Sequence, residues 1–201
     1  EERARLSAQG LQLTCTEEGW GGYPFHFEFS CRSPVLTYAG GAEVRSADLL
    51  MVALAYAPWQ VAALINGPTT ISGPSLVPTE VKHQRALAAV TFDHAWQPSF
   101  SAELPEVAVA NVGTAEKLSL FTRPTSSNGT DIAVQVTKAT YTPDGKPPVA
   151  IDNGNLLGTL QKDKSFRLDK FELDQGPLRY WGSGTLSLDQ QHRITGQIDT
   201  E

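Results

Sequence analysis

Sulphur is scarce in this chain, with two cysteines and one methionine in 201 residues. Clustered positive charge is missing too. Lysine and arginine total 16, scattered singly against 22 aspartates and glutamates, for a formal net charge of -6. Phosphate binding needs grouped cations, so a nucleic-acid partner is not expected. No run approaches the about 18 consecutive apolar residues of a membrane-crossing helix. The first residues, Glu1-Glu2-Arg3-Ala4-Arg5-Leu6, lack both an initiator Met and the apolar core of a secretory signal, and read as the start of a processed or truncated chain.

Catalytic signatures are equally sparse. His26, His83, His94 and His192 show no short metal-ligand spacing and read as surface histidines; Cys-x15-Cys is not a metal spacing either. There is no Gly-x-Ser-x-Gly elbow. Gly182-Ser183-Gly184 resembles half of one, but it opens an alternating stretch and reads as a bulge or bend. Phosphate-binding glycine loops are absent. Glu17-Glu18 and the group Asp169, Glu172 and Asp174 read as solvated carboxylates rather than a glycosidase pair. Asn128-Gly129-Thr130 matches a glycosylation acceptor but reads as a β-turn. The expectation is a protein that is not an enzyme, with no catalytic residue, cofactor or metal.

What the chain has is alternation. Leu11, Leu13 and Cys15 alternate with Gln12 and Thr14. Tyr23, Phe25, Phe27 and Phe29 alternate with Pro24, His26, Glu28 and Ser30. A period of two marks half-buried strands. Folding these two about Gly19 to Gly22 brings Cys15 and Cys31 together, within the about 7 Å that a disulfide allows between Cα atoms. Such a bridge would stabilise the fold by about 3 kcal/mol and places the chain in an oxidising compartment. Two reduced core thiols in a cytosolic protein are the alternative.

Residues 1–9 read as the end of a helix closed by Gly10. Glu43 to Tyr56 is helix or buried strand by periodicity. Glu80 to Asp93 is ambiguous in the same way, and strand is preferred from the surrounding rhythm. Further short strands follow at roughly 10-residue spacing between Gly, Asn and Asp turns, the last turn being Asp189 to His192. The expected fold is mainly β: one single domain over 1–201, a large curved antiparallel meander, either an open trough or a closed sandwich, with one or two short helices on one face. Asp144-Gly145-Lys146-Pro147-Pro148 is the clearest internal punctuation, and a subdivision would fall near 143–148.

Four segments together carry a family resemblance. They are Cys15…Gly22-Tyr23-Pro24-Phe25-His26-Phe27…Cys31; Ala39-Gly40-Gly41…Arg45-Ser46-Ala47…Leu54-Ala55-Tyr56-Ala57-Pro58; Asn66-Gly67-Pro68; and Trp181-Gly182-Ser183-Gly184-Thr185-Leu186-Ser187-Leu188-Asp189…Ile194-Thr195-Gly196. Over residues 10–198 the chain resembles domain-of-unknown-function family 2125, envelope proteins of alphaproteobacteria. His26 stands where that family usually has Arg, and His192 where it usually has Gly. The resemblance implies a membrane anchor ahead of Glu1 and a periplasmic location tethered to the inner membrane. The Gly-x-Pro-Phe hairpin is also similar to one in AsmA-like envelope proteins, which build a curved sheet with an apolar trough and are associated with lipid movement.

Two roles are therefore expected. In the first, the sheet binds a lipid or other apolar ligand, with Phe25, Phe27, Phe29, Leu50, Val52 and Leu54 facing it; the same residues, with Tyr23, could instead pack as an ordinary core. In the second, the protein is a scaffold that docks another envelope protein through a sheet edge or through Trp59, next to Pro58, and Trp96, two residues before Pro98.

Overall fold

The computed structural model describes residues 10–74, 76–126, 129–143, 145–163, 165–188 and 194–200. Its strands are β1 (Gln12–Thr14), β2 (Glu17–Gly21), β3 (His26–Arg32), β4 (Val35–Thr37), β5 (Glu43–Arg45), β6 (Asp48–Leu54), β7 (Ala57–Asn66), β8 (Thr69–Gly73) and β9 (Leu76–Lys82). They continue with β10 (Arg85–Phe92), β11 (Pro98–Val109), β12 (Gly113–Pro124), β13 (Thr130–Tyr141), β14 (Val149–Leu160), β15 (Phe166–Gln175), β16 (Leu178–Leu188) and β17 (Ile194–Thr200). All belong to one open, curved antiparallel sheet.

The sheet has a crease. One row of strands runs β2, β3, β6, β7, β10 and β11, then on in chain order to β17. A shorter row runs β1, β4, β5, β8 and β9 and rejoins at β11. β3 and β4 are one strand bent at Ser33-Pro34. Bends at Ser46-Ala47, Gly67-Pro68 and His83-Gln84 divide β5 from β6, β7 from β8, and β9 from β10. Pro34 and Pro68 have no N–H to give a ladder, so a bend is tolerated there.

Backbone bonds continue across the crease. Ser33 N–H donates to Ala47 O (2.8 Å), Ala47 N–H to Asn66 O (3.2 Å), Gly67 N–H to Gln84 O (3.2 Å) and Gln84 N–H to Pro105 O (3.3 Å). Side chains line it as well: Ser46 Oγ lies 2.9 Å from Thr69 Oγ1, which lies 2.8 Å from His83 Nε2. His83 Nδ1 is 2.8 Å from the Gln84 carbonyl. A carbonyl only accepts, so Nδ1 carries a proton.

The mainly β antiparallel architecture agrees with the sequence reading, and the sheet is open, not closed. Both ambiguous stretches are strands: 43–56 contains β5 and β6, and 80–93 contains the end of β9 and all of β10. The described residues contain no helix on either face, and residues 1–9 lie outside them, as do Asn128 of the Asn-Gly turn and the Asp189 to His192 turn. The segment around 143–148 is the connection between β13 and β14, which pair along their length.

The first hairpin differs from expectation. β2 starts just past Cys15, includes Gly19 and Gly21, and pairs with β3; the turn is Gly22 to Phe25. Tyr23 and Phe25 therefore sit in a turn rather than a strand. Proline cannot donate to the ladder, and Gly22 (φ 87°) supplies the left-handed conformation that starts the turn.

Little of the sheet is covered. The buried apolar residues are Phe29, Cys31, Ala86, Val107 and Leu168. The chain exposes 13725 Å², whereas surface-to-mass scaling gives about 9,200 Å² for a compact monomer of this size.

Candidate binding surface

Successive side chains of a strand point to opposite faces, and cross-strand partners share a face. The registers therefore sort the residues of the long row. One face carries a line of consecutive partners: Trp20, Phe29, Met51, Ala63, Ala88, Ala102, Leu120, Val134, Leu156 and Phe171. Two residues along each strand lies a second line on the same face, with Cys31, Leu49, Ile65 and Ala86 in one half and Leu104, Leu118, Val136, Gly154 and Leu173 in the other. At about 4.8 Å per strand, ten strands give an apolar band about 45 Å long.

The opposite face changes character along the sheet. Over β3, β6, β7 and β10 it carries Ser30, Leu50, Leu64 and Leu87 in one line. From β11 onward that line becomes Glu103, Ser119, Gln135, Asn155 and Glu172. Ion pairs gather there: Lys117 Nζ with Glu103 (2.9 Å), Lys170 Nζ with Glu172 (2.9 Å) and Arg179 Nε with Asp174 (2.8 Å).

A polar cluster extends this face. Arg123 Nη2 donates to Asp131 (3.1 Å), the Thr159 hydroxyl lies 3.0 Å from Asp131 and 3.3 Å from Asp169, and Arg167 Nε donates to Asp169 (2.7 Å). The bond from Arg123, helped by Thr159 and by the positive charge of Arg123 and Arg167, holds the Asp131 carboxyl below its ordinary range. Every cation of the cluster already has a carboxylate, so the group reads as a surface ladder. The long row is thus more apolar on one side than on the other: the first side includes Glu18 as partner of Cys31, and the second carries the ion pairs together with Phe121, Ala133 and Leu157.

The residues singled out from sequence divide between these places. Phe27 and Phe29 lie on the apolar face, as partners of Ala53 and Met51. Leu50 and Val52 do not join them. They pair with Ser30 and Glu28 on the opposite face, and Leu54 pairs with His26 at the end of the same series. Phe25 stands exposed in the turn with Gly22, Tyr23 and Pro24. Trp59 and Trp96 are exposed, at the start of β7 and in the β10–β11 turn. His26 Nε2 lies 3.6 Å from Glu28.

Sequence reading missed Met51, Leu120, Val134, Leu156 and Phe171 as members of the band. Their alternation was visible, but the pairing that aligns them was not. Among the described residues no three of His, Cys, Asp and Glu converge as a metal site.

Cys15 and Cys31 are bonded, with Cα atoms 5.3 Å apart. Cys31 is 2% exposed, on the apolar face beside Leu49. A structural disulfide belongs to an oxidising compartment outside the cytoplasm.

No curated protein and no solved structure matches this chain. The family model described as "Uncharacterized protein conserved in bacteria (DUF2125)" matches residues 2–201, nearly the whole sequence, and the chain belongs to that family.

Proposed function

We propose that this protein is a non-enzymatic module of the bacterial envelope that carries a lipid acyl chain, or an apolar ligand of similar shape, along the apolar face of its sheet. The observation that carries the reading is the apolar band running from Trp20 to Phe171, half-exposed over most of its length and buried at Phe29. A sheet with one apolar face needs a second layer. In the described residues no helix or second sheet supplies it. Hydrocarbon laid along the band would remove that face from water at about 25 cal/mol per Å².

Residence in the periplasm belongs to the same proposal. The disulfide supports an oxidising compartment, and the tether to the inner membrane rests on the family resemblance alone. The test is to purify the protein from its own periplasm, extract it with solvent and analyse the extract. One or more lipids in fixed ratio to protein support a carrier. An extract without lipid opposes it.

A second reading is a scaffold that docks another envelope protein by strand addition. β17 favours it: among the described residues its pairing is with β16, and its own residues include one formal charge, Asp199, and no proline. Edges with little charge and no proline accept an added strand.

A further inference from the structure

Three successive hairpin turns reach the same end of the sheet: Gly22 to Phe25, Ala55-Tyr56, and Asp93 to Gln97. They are adjacent, since Ala55 N–H donates to Phe25 O (3.0 Å) and Gln60 pairs with Thr91. Their tips are aromatic and bare. Tyr23 is 86% exposed, Phe25 77%, Tyr56 75% and Trp96 74%, and Trp20 and Trp59 stand exposed on the strands just behind. Three of the four tryptophans therefore lie at this rim. The described residues of the next two turns at the same end, 125–129 and 161–165, are Thr, Ser, Gly, Gln, Lys and Asp instead. The turns at the other end carry no tryptophan.

Folding does not account for Trp96. Its φ is 58°, in the left-handed region where a bulky residue is strained and Gly or Asn fits freely. The turn itself is well made without it: Asp93 accepts from Ala95 N–H (2.8 Å) and Gln97 N–H (2.9 Å), and Trp96 N–H donates to Asp93 O (3.0 Å). A tryptophan held outward in a conformation that disfavours it, with Phe92 as its ring contact at 5.8 Å, points to a use outside the fold.

We infer that this rim seats in the interfacial layer of a lipid bilayer. Tryptophan and tyrosine are the side chains that favour that layer, with an apolar body and a polar edge. Three neighbouring turns present bare aromatic tips side by side along one end of the sheet, an extended row suited to a membrane surface rather than to the compact buried centre of a protein interface. The three turns contain no lysine or arginine, and their one formal charge, Asp93, is turned onto its own loop. Attachment is therefore apolar, with no demand for anionic lipid. This concerns the rim alone; it holds or fails separately from the ligand on the apolar face.

The test is co-sedimentation of the intact, oxidised protein with vesicles of pure phosphatidylcholine, at low and high salt. The partner variants are Trp96→Gly, which relieves the backbone, and the triple Phe25→Ser, Tyr56→Ser, Trp96→Gly. Circular dichroism and the mass of the closed disulfide check that each is folded. The expected result is binding that salt does not weaken, reduced by Trp96→Gly and lowered about tenfold or more in the folded triple variant. The inference is overturned if the protein ignores neutral vesicles, if binding requires anionic lipid and disappears in salt, or if the triple variant binds as the parent does. Loss of a protein partner with unchanged vesicle binding in that variant would likewise assign the rim to protein docking.

Discussion

Phe29 and Met51 are cross-strand partners, and Trp20 closes on Phe29 from the other side with ring centroids 4.8 Å apart at 52°. This triplet begins the apolar line. Because partners share a face, it also sends Leu50 and Val52 to the opposite side, next to Ser30 and Glu28. One register thus decides which half of the chain's apolar residues a ligand can touch.

The disulfide ties that end of the sheet. Its loop spans a sequence separation of 16 and joins β3 to the junction of β1 and β2. Replacing both cysteines, Cys15→Ser with Cys31→Ser, is expected to lower stability by about 3 kcal/mol through the unfolded chain's regained freedom. Chemical denaturation of the two proteins measures it; an unchanged midpoint would mean that the bridge constrains nothing.

Glycine spacing holds the far edge. A Cβ on Gly184 would collide with Gln197 O and lie 2.9 Å from Ile198 Cα. β16 and β17 approach too closely there for any side chain. Gly184→Ala is expected to cost about 1–3 kcal/mol of overpacking and to raise amide hydrogen exchange over 194–200 while β12 and β13 stay protected. Exchange unchanged in β17 would contradict this packing.

Acid should loosen the charged face. Asp131 is held below its ordinary range first by the bond from Arg123, then by Thr159 and the nearby arginine charges. A depressed carboxyl contributes stability above its unfolded value, about 3.9, and loses it as pH falls through the folded value. Asp131→Asn is therefore expected to be less stable at neutral pH and to show a shallower loss below about pH 4. Thermal melts across that range decide it; parallel curves for the two proteins would show that the Arg123–Asp131 pair is too well solvated to matter.

Much of this was legible in the sequence, for a physical reason. Alternation fixes which residues of one strand share a side, so the strands, most of the hairpins and the facing cysteines could be read directly. Register is another matter. Nothing in a period of two tells Phe29 whether it meets Met51 or Leu50, and a slip of one residue exchanges the faces of a whole strand. That is why alternation alone groups Leu50, Val52 and Leu54 with Phe27 and Phe29, and does not align Leu120, Val134 and Phe171 with Phe29. The crease was hidden for a similar reason. Pro34 and Pro68 announce breaks, but only the pairing shows that the breaks line up with Ala47 and Gln84 as one fold line.

The central claim is that the apolar face, and not the charged one, holds a ligand. Val134 and its neighbour Gln135 offer a matched comparison, since they sit side by side on β13 and point to opposite faces. The measurement is native mass spectrometry of the protein from its own periplasm, alongside Val134→Lys and Gln135→Lys. The account predicts a bound lipid mass on the parent and on Gln135→Lys that leaves on denaturation, and its absence from Val134→Lys. A bare protein mass for the parent, or a lipid that survives Val134→Lys unchanged, would contradict it.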